Sequence, residues 1–472
     1  MRIPRILICA GSSGSGKTLI TCGILQALIN RGIKPASFKC GPDYIDPMFH
    51  TRVLGTKSKN LDTFFVKEDV LRYLFVKNAS DCDIAVMEGV MGYYDGLGGV
   101  STDASTYDVQ RATGTPAVLI VSGKGVNTSL AATVKGFMEF RSDSNIKGVI
   151  INHIKAGMYP VLKDLLEKEC HVQVLGYVPE VPELVLESRH LGLVMPHEIH
   201  NLREKVMKLA DVFAETIDLD RLIKLAETAP EIDEAQLAAA DPVRPEMKCK
   251  KPVKIAVAHD EAFCFLYEDN LALLKALHAE IVEFSPIRDG KVPEEVNGLI
   301  LYGGYPELFA KQLSENRSMI ESIRKAYASG MPILAECGGF MYLHERMEDG
   351  QGTAYPQVGI VKGKAYKTDR LGRFGYVDLT ENSGKFFQEY GDPGRIPAHE
   401  FHYYDSTCCG TDFHAQKPAG KRNWDCMISE ENLLAGFPHL YYYGNPATAA
   451  AFMKKCEKYG ERTECSSIMH RH

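Results

Sequence analysis

No apolar run in the 472-residue sequence approaches the roughly 20 residues that cross a bilayer, so a membrane-spanning helix is not expected. There is no basic block either: 54 Lys and Arg against 61 Asp and Glu give a net charge of −7, dispersed in both signs, which argues against nucleic acid as a partner. No C-x-x-C pair occurs among the 13 cysteines, and Cys408 and Cys409 are adjacent, so thiolate zinc or cluster sites have no support. An odd number of cysteines in apolar settings such as Ile8-Cys9-Ala10 fits a reducing cytoplasm, not a disulfide framework. Arg2 and Arg5 precede an apolar stretch, but it is too short for a signal peptide and feeds a glycine-rich turn, so export is not expected. The length favours two or three domains.

What is present begins at residues 6–18, Ile-Leu-Ile-Cys-Ala-Gly-Ser-Ser-Gly-Ser-Gly-Lys-Thr. Gly11, Gly16, Lys17 and Thr18 satisfy G-x-x-x-x-G-K-[ST], with an apolar strand before and a helical pattern after. Gly11, Ser12, Ser13, Gly14, Ser15, Gly16, Lys17 and Thr18 are therefore expected to hold ATP. Backbone N–H groups would turn onto the polyphosphate, Lys17 would reach the β and γ phosphates, and Thr18 would ligate Mg²⁺.

Downstream, a helix over residues 19–30 stops at Gly32, and a strand over 36–39 leads into Cys40-Gly-Pro-Asp-Tyr-Ile-Asp-Pro. Asp43 and Asp46 lie at a strand end, where open parallel sheets bind ligands, although both are also ordinary turn formers beside proline. The strand over 81–88 ends in Glu88, which together with Asp46 is a metal candidate. Asp95 is placed near the reacting carboxyl, or simply in an Asp-Gly turn. Asn152, after another strand, would face an adenine edge or serve as a loop residue. Strands alternating with helices predict a doubly wound parallel sheet.

Residues 227–252 are rich in Ala, Glu and Pro and read as a linker, which divides the chain into 1–226, 227–252, 253–455 and a polar tail at 456–472 expected to be disordered from Arg462. The second half builds a new alternation, with a strand over 254–259, helices over 270–278 and 314–328, and a strand from Met331 that meets a helix at Cys337-Gly338-Gly339. A sharp strand-to-helix turn would present Cys337 as a nucleophile, with the following helix favouring its thiolate; a buried, inert cysteine is the plain alternative. Gly304, in the Gly303-Gly304 turn, and Gly338 would offer oxyanion N–H groups, and His439 would be the base, with His402 its rival.

These residues, with Asn60-Leu-Asp62, Glu88-Gly-Val-Met-Gly, His399-Glu-Phe-His-Tyr and His439-Leu-Tyr in this order, resemble the cobyrinic acid a,c-diamide synthase family from residue 6 to about 455. The resemblance implies an α/β protein of two doubly wound domains: an N-terminal P-loop domain similar to dethiobiotin synthetase, and a C-terminal class I, triad-type glutamine amidotransferase domain. It implies a glutamine-hydrolysing carbon–nitrogen ligase of cobalamin biosynthesis that uses ATP and Mg²⁺. Cys337 and His439 would free ammonia from glutamine. An acyl phosphate made from ATP on the a and c acetates of a corrinoid would receive it, with Asp43, Asp46 and Glu88 near Mg²⁺. Asp62 and Tyr44 would border the corrinoid, with a helix N-cap as the alternative for Asp62 and core packing for Tyr44 and His50. The triad family carries His-Pro-Glu where this chain has His439-Leu440-Tyr441, so the group orienting His439 is left open. Nickel sirohydrochlorin or hydrogenobyrinic acid as acceptor, and more remotely a partitioning-type ATPase switch, also stay open, as does a homodimer.

Overall fold

The computed structural model describes residues 1–180, 188–189, 192–193 and 202–469, and residues 470–472 of the expected tail lie outside these. The chain divides into two compact units, Met1–Asp241 and Pro242–His472.

In the first unit the order is β1 (Arg5–Ala10), α1 (Lys17–Asn30), β2 (Pro35–Cys40), α2 (Ile45–Leu54), β3 (Ser58–Leu61), α3 (Glu68–Ala79), β4 (Ile84–Glu88), α4 (Thr106–Thr113), β5 (Ala117–Ser122), α5 (Ser129–Glu139), β6 (Ile146–Asn152), α6 (Tyr159–Cys170) and β7 (Gln173–Val178). A short hairpin, β8 (Ser188–Arg189) and β9 (Gly192–Leu193), precedes α7 (Leu202–Thr216), α8 (Leu219–Glu227) and α9 (Glu234–Ala240). Strands β1, β2 and β4 are buried along their whole length, as continuous apolar runs in a sheet covered on both faces must be. The seven strands are parallel in the order β3-β2-β4-β1-β5-β6-β7. Winding runs one way from β1 to β3, returns with β4, and runs the other way through β7. The loops after β1, β2 and β4 therefore gather at the carboxyl edge where the direction changes, the ligand edge of open α/β sheets.

Part of the segment expected as a linker belongs to this unit. Pro230 O accepts from the Arg5 guanidinium at 2.7 Å, Ile232 N–H donates to Met1 O at 3.0 Å, and residues 234–240 are helical. Alanines and Asp233, whose carboxylate caps Ala235 N–H, suit a short helix better than a free linker.

The second unit begins with β10 (Val253–Ala258), α10 (Glu268–Ala276), β11 (Ala279–Phe284), β12 (Gly298–Leu301), α11 (Ala310–Glu315), α12 (Arg317–Ala328), β13 (Ile333–Glu336) and α13 (Gly338–Leu343). The single helix expected over 314–328 is broken at Asn316, whose side chain caps Met319 N–H. Then comes β14 (His344–Glu348), β15 (Ala354–Pro356), β16 (Val361–Lys367), β17 (Arg373–Glu381), β18 (Ile396–His402), β19 (Tyr404–Ser406), β20 (Phe413–Gln416), β21 (Asn423–Cys426), β22 (Ile428–Ser429), β23 (Leu433–Gly436), β24 (His439–Leu440) and α14 (Pro446–Met469). The core sheet runs β11-β10-β12-β13-β23-β22, parallel except for β22. Two further sheets, β15-β14-β16-β19 and β21-β20-β17-β18-β24, are built from the stretch between α13 and the last strands, where the sequence reading placed no elements. The tail expected to be disordered is instead helical to Met469, because α14 buries Phe452, Met453 and Cys456 in the unit's core. Among the described residues no helix is long and apolar enough to cross a membrane.

Gly23 marks the tightest helix contact of the first unit: a Cβ there would lie 2.4 Å from Phe213 Cε2 on α7. Ala gains about 1 kcal/mol of helix propensity over Gly, but overpacking costs about 1–3 kcal/mol. Gly23→Ala should therefore lower the denaturant midpoint. Gly136→Ala in α5, with nothing within 4 Å of the new methyl, should raise it.

Candidate functional site

The first candidate site sits at the ends of β1, β2 and β4. Gly16 takes the left-handed conformation (φ 89°, ψ 14°), and a Cβ there would lie 2.7 Å from Asn152 Nδ2, so only glycine closes the loop onto α1. Asn152 Nδ2 donates to Ser15 O at 3.1 Å. That amide therefore buttresses the loop. Lys17 Nζ donates to Ser12 O at 3.0 Å and Met91 O at 2.5 Å, and Tyr93 N–H donates to Ala10 O, so the Gly89–Asp95 loop is laced to the glycine-rich turn. Ser12 and Ser15 hydroxyls lie 3.2 Å apart, and Gly11 and Gly14 complete the cradle at the start of the 14-residue α1, whose N-terminus favours anions.

Beside this cradle lies a buried charge cluster. Thr18 Oγ1 donates to Glu88 Oε1 at 2.6 Å and lies 3.4 Å from Asp46 Oδ2. Lys39 Nζ is 2.5 Å from Asp46 Oδ2, 2.7 Å from Glu88 Oε1 and 4.0 Å from Asp43 Oδ2. His50 Nε2 lies 3.7 Å from Glu88 Oε2, and its Nδ1 is 2.8 Å from Ser37 Oγ. Thr18, Asp43, Asp46 and Glu88, picked out from separate stretches of sequence, thus converge. Lys39 was missed; its one sequence signal is a lysine inside an otherwise fully buried strand. Burial drives the Asp43 and Glu88 carboxyls up to about 7, against the pull of Lys39. Burial pushes Asp46 the same way, but the Lys39 ammonium outweighs it and the net shift is downward. Burial lowers His50 to about 4, so it is neutral at physiological pH.

Asp46 Oδ1 and Glu88 Oε2 are buried without a hydrogen-bond partner, which leaves acceptor capacity for a cation. Among the described residues no three His, Cys, Asp or Glu side chains form a closed metal cage. Mg²⁺ asks for less, since it binds through one or two carboxylates, a hydroxyl, water and phosphate oxygens, so Thr18, Asp46 and Glu88 fit it.

The remaining expected residues of this half have local partners. Asp43 Oδ1 accepts Ile45 N–H at 2.8 Å at the entry to α2, and Tyr44 sits half-buried beside it. Asn60 Nδ2 supports that loop through Gly41 O and Asp43 O. Asp62 Oδ1 accepts Phe64 N–H at 2.8 Å in a turn; the helix N-cap weighed as its alternative is corrected, since the next helix, α3, begins only at Glu68. Asp95 is exposed, and its Oδ2 accepts Gly92 N–H at 3.0 Å, closing a turn.

The second site forms where β13 meets α13. Cys337 has φ 47° and ψ −104°, a strained conformation for a residue with a Cβ, held by its N–H donating to Gly436 O at 2.8 Å and by its carbonyl accepting Met341 N–H. Gly304 N lies 3.1 Å from where a Cβ on Gly338 would sit, so the two oxyanion candidates adjoin. A Cβ on Gly303 would strike His439 Cε1 at 2.4 Å, which places the imidazole against the same turn. His402 is committed elsewhere: Nδ1 meets Tyr404 O at 2.5 Å, Nε2 lies 3.2 Å from Glu400 Oε2, and the ring stacks on Phe437 at 4.1 Å. His439 Nδ1 lies 3.8 Å from Glu336 Oε2, a carboxyl the sequence reading did not single out.

The expected thiolate is corrected. Cys337 is only 6% exposed, and burial, then the nearby Glu307 and Glu400 carboxylates, push its thiol up against the smaller opposing pull of the Gly338 N–H. Burial, then His402, lowers His439 to about 3. At rest both groups are therefore neutral, a thiol and an imidazole, and a nucleophilic role for the sulfur would require that its proton be taken.

Two family models match the chain: the CobQ/CobB/MinD/ParA nucleotide binding domain over residues 6–194 and the CobB/CobQ-like glutamine amidotransferase domain over residues 254–446. The chain is 37% identical over 463 residues to the cobyrinate a,c-diamide synthase of Caldanaerobacter subterraneus subsp. tengcongensis, covering 97% of this chain and 100% of the relative. It is 40% identical over 451 residues to that of Listeria innocua, covering 94% and 97%. To that of Thermoplasma volcanium it is 37% identical over 472 residues, covering 99% and 100%.

The buried acids make stability depend on pH. Carboxyls held near 7 favour the folded state fully below their ordinary values, and that contribution is lost as pH rises through about 7. Below about pH 6.5 the buried neutral histidines, His50 and His439 among them, oppose this trend, so the melting transition of the full chain should fall from about pH 6.5 to 8, and Glu88→Gln should flatten that slope, as read by calorimetry across the series.

Proposed function

Because the chain belongs to the cobyrinate a,c-diamide synthase family, we propose that its two sites divide one reaction between them. The enzyme is a glutamine-hydrolysing ligase that amidates cobyrinic acid with glutamine and ATP. The observation that carries the division is the pairing of a phosphate cradle flanked by buried acids with a strained cysteine whose turn adjoins an imidazole.

At the second site Cys337 Sγ attacks the glutamine carboxamide as its proton passes to His439. The Gly304 and Gly338 N–H groups receive the negative charge that builds on the carbonyl oxygen, and stabilisation of this kind is commonly the largest single contribution to such catalysis. Protonated His439 returns its proton to the departing nitrogen, ammonia leaves, and water then cleaves the glutamyl thioester.

At the first site residues 11–18 hold the triphosphate and Lys17 draws charge from it. A carboxylate oxygen of the acceptor takes the γ-phosphoryl group, and ammonia displaces phosphate to leave the amide. The chemistry requires both halves, because a carboxylate is a poor electrophile until phosphorylated and ammonium is no nucleophile. Mg²⁺ held by Thr18, Asp46 and Glu88 would neutralise phosphate charge during the transfer. Lys39 keeps Asp46 ionised toward that position, and Asp43 and Asp95 sit in the two loops nearest to it. The a and c acetates are the acceptors, and Tyr44 and Asp62 border the corrinoid. Free thiols, ATP and glutamine fit a cytoplasmic setting.

The test is an amidation assay counted by mass, run with cobyrinic acid, hydrogenobyrinic acid and nickel sirohydrochlorin in parallel. Cobyrinic acid should gain two amide groups, and preference for either other acceptor overturns the substrate assignment. Cys337→Ala should abolish glutamine-driven turnover while ammonia-driven turnover persists, whereas Lys17→Ala should lose both by at least about 100-fold.

A further inference from the structure

A histidine that takes a thiol proton must present a lone pair, not an N–H, to the sulfur. In neutral imidazole one nitrogen carries hydrogen and the other does not, and what the first meets decides which is which. Triad amidotransferases settle this with a glutamate two residues beyond the histidine, and here that position is Tyr441.

Several groups face the His439 ring. His399 pairs with it across β18 and β24, and His402 lies near enough to lower its basicity. Glu400, the carboxylate of that strand, gives its Oε2 to His402 at 3.2 Å, while its Oε1 is buried without a partner. The remaining acid is Glu336, the last residue of β13 and the immediate neighbour of the nucleophile. It is 2% exposed, the Leu440 backbone on the strand that carries His439 lies near enough to favour its charged form, and its Oε1 is buried with no hydrogen-bond partner. An orphaned carboxyl oxygen in the core costs about 1–3 kcal/mol, so its retention calls for a use.

We propose that Glu336 is the positioning residue of the glutaminase site, accepting Nδ1–H of His439 so that Nε2 faces the thiol of Cys337. The 3.8 Å separation exceeds a hydrogen bond by roughly 1 Å, a gap that a small rotation of the carboxyl closes, as catalytic contacts tighten when substrate binds. The acid that orients the base thus comes from the residue before the nucleophile instead of the residues after the histidine. One strand end then supplies both. Burial pushes the Glu336 carboxyl well up, which suits this role, since a neutral carboxyl still offers its carbonyl oxygen. The proposal rests on the reading of Cys337 and His439 as the glutaminase pair.

The test uses the full chain, three variants of Glu336, and His439→Gln and Cys337→Ala as controls. Glutamate release is measured for kcat and KM, with ammonia-driven amidation as the check that the fold survives. Glu336→Asp retracts the acceptor, and Glu336→Met removes it at similar volume; both should lose at least about 30-fold in kcat with KM for glutamine changed less than about twofold. Glu336→Gln, which keeps an acceptor oxygen at full reach, should stay within about fivefold. Native kcat in the Asp and Met variants, or Gln as impaired as Met, overturns the proposal. On the unaltered protein, ¹⁵N-histidine spectra should show His439, assigned by its loss in His439→Gln, as the Nδ1–H form; the Nε2–H form also overturns it. Cys337→Ala separates the two failures: if it still releases glutamate, the glutaminase reading falls, and if it does not while Glu336→Met does, only the role of Glu336 falls.

Discussion

A buried ammonium holds the first site together. Lys39 and Glu88 are register partners on adjacent parallel strands, so the sheet itself delivers cation to anion, and α2 brings Asp46 in from above. Such a pair gains little over apolar packing of the same volume, but removing one partner strands the other charge at a cost of about 3–5 kcal/mol. The arrangement therefore exists for what it does to the acids. With one lysine among three carboxyls the cluster is short of positive charge, and it is best satisfied when a cation joins it. Asp43 and Glu88 held near 7 express the same deficit as protons.

The second site uses the same strand-end logic with the opposite electrostatics. Backbone pairing of Glu336 with Gly436, and the bond from Cys337 N–H to Gly436 O, fix the turn. The glycines are then set by approach distance: Gly303 gives way to the His439 ring and Gly338 brings its backbone beside Gly304 N. Cys337 and His439 are both buried, and their protonation states follow from burial before any charge partner.

Sequence carried the parts of this architecture that local chemistry dictates. The glycine-rich turn, the strand-end acids and the Cys-Gly-Gly turn each announce a backbone geometry, and alternating elements gave both parallel sheets. Contacts that need the fold were not legible. Lys39 looks like one polar residue in a strand until β4 is placed beside β2, and the support that Asn152 gives Ser15 O shows only once β6 stands beside the loop. The two smaller sheets built largely from the stretch after α13, one mixed and one antiparallel, escaped because their strands mix charged, aromatic and glycine residues without clean alternation. The helical tail escaped because its apolar residues are spread among lysines and glutamates, and only packing on β10 and β12 shows which face is buried.

The contrast between a charged site and a neutral one has a chemical consequence. Moving the thiol proton to His439 creates two opposite charges in a buried place, which burial alone opposes from both ends. The transfer becomes favourable only when negative charge passes at once from sulfur to an oxygen lying against the Gly304 and Gly338 N–H groups, that is, when a carbonyl is already seated there. A cysteine held as a standing thiolate would be open to oxidants and alkylating agents whether or not glutamine were bound. On the proposed reading, burial would thus make the substrate's own carbonyl part of the device that activates Cys337.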